Sequence, residues 1–133
     1  MSKFNFYKLL IIVIGILLIS IGGTILFIPE TLFEMNMIQL NKNPNLLSEI
    51  RAPGGVFILS GIALFLSFFL TKIVKASLTS AGILLVGYGI SRFFSILLDG
   101  LPAYSLQLAM IIELVLGVFC LYLTKKEITL SSS

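Results

Sequence analysis

Four long apolar stretches divide this chain, and its polar residues gather at their ends. The first runs from Leu9 to Ile28 without a charge and stops at Pro29. The second follows Arg51 and continues uncharged from Ala52 to Thr71. The third covers roughly 76–98 with Arg92 inside it, and the fourth roughly 102–124 with Glu113 near its middle. A helix needs about 20 apolar residues to cross the hydrocarbon core, so each stretch predicts a membrane-spanning helix (9–28, 52–71, 76–98 and 102–124). In the fourth, the Leu, Ile, Val and Phe side chains after Pro102 contribute about −0.3 to −0.6 kcal/mol each. Together they outweigh one acidic residue at about +2.5 to +3.5 kcal/mol. Lys3, Lys8 and Ser20-Ile21-Gly22 would also suit a cleaved signal peptide. The apolar run continues to Ile28, past the usual signal core of about 7–15 residues, so it is read as a retained span.

The connections are uneven. Lys72 and Lys75 mark a short link that makes spans two and three a tight hairpin, and Asp99-Gly100-Leu101-Pro102 is a turn sequence. The stretch 29–50 is longer, and Leu32, Phe33, Met35, Met37, Ile38 and Leu40 make it too apolar for a solvated loop. With Glu30 and Glu34 four apart, it predicts a short helix lying in the membrane interface. That helix would be either a connector or a lid. Asn41-Lys42-Asn43-Pro44-Asn45 then forms a turn before a helix that begins at Leu46. Pro53-Gly54-Gly55 is expected to kink or open that helix, because Pro53 cannot donate to the carbonyl of Glu49.

Composition narrows the class. Of 133 residues 58% are hydrophobic and 11% charged, and the mean hydropathy is +1.12. Soluble domains carry about a quarter charged residues and disordered chains are polar, so an integral membrane protein remains. With no histidine and one cysteine, the chain lacks the equipment for His-ligated haem, a Cys/His zinc site, disulfide exchange or a His general base. No catalytic residue, metal or cofactor is therefore expected, and no nucleic-acid partner. Lys3, Lys8, Lys72, Lys75, Lys125 and Lys126 fall on one side of the membrane, against Lys42, Arg51 and Arg92 on the other. The excess of cations predicts both termini in the cytoplasm, in the cell (inner) membrane, with one transmembrane domain over 1–133.

Small residues recur at seven-residue spacing as Gly15 and Gly22, Gly54 and Gly61, and Gly82 and Gly89. Such seams let helices approach closely in a bilayer, and a seven-residue period is that of a left-handed bundle. The expected fold is all-α, a four-helix antiparallel bundle. Intramembrane charge normally faces the bundle interior, and the charges lie on these seams. Arg51 shares a stripe with Gly54 and Gly61. Arg92 and Asp99 continue the stripe of Gly82 and Gly89, and Glu113 lies between Ala109 and Gly117.

Helical side chains lean toward their own amino terminus. Arg92, about 9 Å below the end of its helix, and Glu113, about 16 Å below the start of the next, therefore lean toward each other. A contact between them is predicted. It has three open readings: an ion pair that sets register, a polar ligand or proton site, or a contact with a partner's helix. Arg51, Glu49, Asp99, Gln107 and Tyr104 lie toward the same side, which is more polar equipment than one register pin needs. The candidate site is accordingly Arg51, Arg92, Asp99, Glu113, Glu49 and Gln107.

Glu49-Ile50-Arg51-Ala52-Pro53-Gly54-Gly55, Gly89-Ile90-Ser91-Arg92, Asp99-Gly100-Leu101-Pro102 and Glu113-Leu114 occur here in that order. In this set the chain resembles, over nearly its whole length, a bacterial family of four-span membrane proteins grouped as a domain of unknown function, DUF4345. It is also distantly similar to DoxX-like four-helix membrane proteins. The resemblance implies fold and membrane location but no reaction. The expected role is a small membrane protein that binds a lipid or small amphiphile, or supports a membrane complex as a homo-oligomer or with a partner protein. The alternative is a proton-coupled small-molecule transporter using Glu113. A lipid-directed enzyme is a third reading, and it would have only Glu113, Asp99 and Glu49 for its chemistry.

Overall fold

The structure is a computed structural model that describes residues 3–41 and 43–131. Lys42, counted above among the cations, lies outside the described residues. Five α-helices make up the described chain: α1 (Lys3–Phe27), α2 (Pro29–Met35), α3 (Pro44–Ser67), α4 (Val74–Asp99) and α5 (Tyr104–Ser131), with a single 3₁₀ turn at Thr71–Ile73 before α4. Four segments are long and apolar enough to cross a membrane: Lys8–Phe27, Pro44–Ser67, Thr71–Asp99 and Tyr104–Lys126. In lipid a helix satisfies its own backbone groups, which is why apolar runs of this length fold this way. The chain forms two compact units, Met1–Leu70 and Thr71–Ser133.

The first unit is a hairpin of α1 and α3 with α2 between them. Its register is set by glycines meeting glycines. A Cβ on Gly22 would lie 2.6 Å from the carbonyl oxygen of Gly54, and one on Gly61 would lie 2.6 Å from that of Gly15. These two crossings, Gly22 with Gly54 and Gly15 with Gly61, make α1 and α3 antiparallel and bring their backbones into contact. Ile14, Leu18, Phe57 and Leu64 are buried. At the far end, Lys8 Nζ stands 5.6 Å over the Phe68 ring.

The helix α3 begins at Pro44, two residues before the start expected at Leu46. Asn43 caps it by accepting from the Asn45 backbone N–H at 2.9 Å, and Pro44 supplies the fixed φ suited to a first helical position. It then continues through Pro53 as helix and does not open there. The close crossing at Gly54 lies one residue beyond and holds that turn against α1. The short helix α2 ends where Met37 takes φ 61°. Ile38 N–H then donates to Phe33 O at 3.0 Å and Met37 N–H to Glu34 O at 2.9 Å, the paired bonds of a Schellman ending.

The second unit pairs α4 with α5, and Gly82, Gly89 and Gly117 form its seam. A Cβ on Gly89 would meet the Leu114 side chain at 2.5 Å, and one on Gly117 would meet the Val86 backbone N at 2.8 Å. Leu78, Ala81, Leu85, Cys120 and Leu123 are buried. The buried hydroxyl of Thr124 donates within its own helix to Cys120 O at 3.1 Å and accepts from Thr79 Oγ1 of α4 at 3.4 Å. Gly100 ends α4 at φ 95°, ψ −175°, a region open essentially to glycine alone.

Candidate functional site

The seam of the second unit positions an ion pair. Gly89 lies three residues before Arg92 and is closed over by Leu114, which follows Glu113 in sequence. With no side chain at Gly89, α4 and α5 approach closely at the height of both charges. Because the helices run in opposite directions, the amino-terminal lean of each side chain brings the heads together. Arg92 Nε donates to both carboxylate oxygens of Glu113, at 2.9 Å to Oε2 and 3.2 Å to Oε1. The Glu113 side chain is 12% exposed and that of Arg92 33%, so the carboxylate is enclosed while the guanidinium stays partly open.

The bond uses one N–H of the guanidinium. Nη1 and Nη2 make no hydrogen bond to a described residue. A guanidinium presents five donors in a planar fork that matches a carboxylate or phosphate. Glu113 therefore holds Arg92 by Nε and leaves the Nη edge of the fork without a described partner.

Tyr88 adds to this site and was not among the candidates from sequence. It precedes Arg92 by four residues on the same face of α4, and it stands within electrostatic reach of both Glu113 and Arg92. The four-residue spacing was the available signal.

Asp99 and Gln107, in the same unit, do not join the pair directly. Asp99 is exposed at the end of α4 and accepts from Ser95 Oγ at 3.1 Å. Gln107 Nε2 donates to the carbonyl of Pro102 at 2.8 Å and so braces the turn into α5. Glu49 and Arg51 belong to α3 in the first unit. Glu49 is exposed, while the buried Nε of Arg51 has no hydrogen-bond partner among the described residues. Among the described residues no three acidic or cysteine side chains gather as a metal site would require.

A model of the family described as a domain of unknown function (DUF4345) matches residues 6–124. The chain belongs to this family. Neither the curated proteins nor the solved structures give a match. The DUF4345 region contains all six candidate residues and Tyr88.

Proposed function

We propose that this DUF4345 protein is a multi-pass protein of the cell membrane, with both termini cytoplasmic, that binds the polar end of a lipid or small amphiphile at Arg92. It would act through one transmembrane domain over 1–133, alone or within a membrane complex. The observation that carries this reading is the one-edged ion pair: Glu113 engages Arg92 Nε and leaves both Nη groups without a partner among the described residues. A buried register pin would be expected to spend the whole fork, since unpaired donors of a charged group are costly in an apolar setting. The apolar surfaces of α4 and α5, with Phe94, Leu97, Ile111 and Val115 exposed, suit the acyl chain of such a ligand.

Native mass spectrometry of gently extracted protein tests this. The wild type should carry an amphiphile with an acceptor or anionic head, and Arg92→Gln should lose it. Identical spectra for both proteins would overturn the reading.

A proton-coupled transporter is the second reading. It is supported by the partial exposure of Arg92, which leaves the pair reachable and able to part. In proteoliposomes loaded with a pH-sensitive dye, the amphiphile identified above would then drive a proton flux that Glu113→Gln abolishes without unfolding. Absence of flux in the wild type would leave binding alone.

A further inference from the structure

Arg51 poses a different problem from Arg92. Its Nε is buried without a hydrogen-bond partner, and it makes no hydrogen bond or ion pair with a described residue. The register of the first hairpin explains why. Arg51 lies three residues before Gly54 on the face that meets α1, and Gly54 sits against Gly22 and Leu26. One turn further along, Arg51 is level with the last turn of α1. That turn is Thr24, Ile25, Leu26 and Phe27 and contains no acid. Where α4 meets a glutamate on α5, α3 meets an uncharged helix end, and Glu30 and Glu34 of α2, which follows it, form no ion pair with Arg51. The carbonyl end of a helix carries a partial negative charge, which attracts a guanidinium without neutralising it.

We propose that Arg51 binds the phosphate of a membrane phospholipid seated at the end of the first hairpin. Height and surface both favour a lipid. The apolar run of α1 ends at Ile28, so the level of its last turn is where hydrocarbon gives way to headgroups and where a phosphodiester lies. Below that level Val56 and Leu59 are exposed on α3, and Phe27 is exposed at the end of α1. These are apolar surfaces along which acyl chains can run. Nε itself is covered, but Nη1 and Nη2 are not among the buried atoms, and through that edge of the fork a phosphodiester oxygen supplies an acceptor and the charge that α1 does not provide. Free phosphate shares this chemistry but brings no tail to those surfaces. The site lies in another hairpin from Arg92 and does not depend on that reading.

The test is titration of delipidated full-length protein in detergent, read by native mass spectrometry, with three probes. Dioleoylphosphatidylglycerol has phosphate and tails, dioleoylglycerol has the same tails without phosphate, and inorganic phosphate has no tails. The wild type should hold one phosphatidylglycerol that Arg51→Gln loses or binds roughly tenfold or more weakly. Arg51→Lys, which keeps the charge but not the fork, should fall between them. Arg92→Gln should retain this lipid, dioleoylglycerol should not replace it, and inorganic phosphate should not displace it.

Equal phosphatidylglycerol binding by the wild type, Arg51→Gln and Arg51→Lys would overturn the proposal. Displacement by inorganic phosphate would reassign the site to a soluble anion and overturn the lipid. Loss of a co-purified amphiphile in Arg92→Gln together with unchanged lipid binding in Arg51→Gln would sink this inference and leave the Arg92 site standing. The reverse pattern would do the opposite.

Discussion

Glu113 grips Arg92 through a single N–H, with Nε 2.9 Å from Oε2 and 3.2 Å from Oε1. The pair therefore orients the guanidinium without exhausting it. The same bond ties α4 to α5 and fixes where the remaining donors of the fork lie.

The stabilising half of that relationship is measurable. With side chains 33% and 12% exposed, the pair lies between an exposed bridge and a buried one. Arg92→Gln or Glu113→Gln should each cost about 1–3 kcal/mol. The double variant should recover part of this, with a coupling of at least about 0.5 kcal/mol, measured by denaturation in detergent. Strict additivity would show that the two side chains do not support each other.

The glycine crossings make a sharper prediction about packing. A Cβ on Gly61 would stand 2.6 Å from Gly15 O and 2.9 Å from Ile19 N, whereas one on Gly23 meets nothing within 4 Å. Gly61→Ala must push two backbones apart and should destabilise by about 1–3 kcal/mol. Gly23→Ala should be neutral or gain up to about 1 kcal/mol from helix propensity. Equal melting temperatures for the two variants would contradict this α1–α3 register.

Cys120 is the only cysteine in the chain and is fully buried at 0% exposure. A bulky maleimide should leave it unmodified in folded protein and label it as α5 unpacks in denaturant. Labelling of the folded protein at the rate of a free thiol would mean that α5 presents another face.

Orientation can be read with single cysteines in a Cys120→Ala background. Lys72 lies in the lysine-rich link, and Asn41 in the connection that follows α2. If the excess of cations sets the topology, Asn41→Cys labels from outside intact cells and Lys72→Cys only after permeabilisation. The opposite pattern would invert the topology.

The helical class was legible from the chain because apolar run length is a local property, and in lipid a run such as 9–28 has few alternatives to a helix. The approach of Arg92 to Glu113 was legible for a similar reason. Seam spacing and amino-terminal lean are properties of single helices, and they converge once the two helices run antiparallel. The glycine seams announced close contact but not the partners. That Gly22 meets Gly54 and Gly15 meets Gly61 depends on how one helix slides along another, which no single stretch encodes.

The start of α3 at Pro44 fell within two residues of the one read from the Asn-rich turn, but its exact position and the passage of the helix through Pro53 outran the sequence pattern. A capping Asn43 and a neighbouring helix decided them, and hydropathy registers neither. The chemistry of the site was decided in the same way. Which nitrogen of Arg92 binds Glu113, that Tyr88 stands within reach of both charges, and that Arg51 falls beside an uncharged turn of α1 are matters of rotamer and register. Sequence sets which helix face carries each charge, and packing between helices sets what that charge meets.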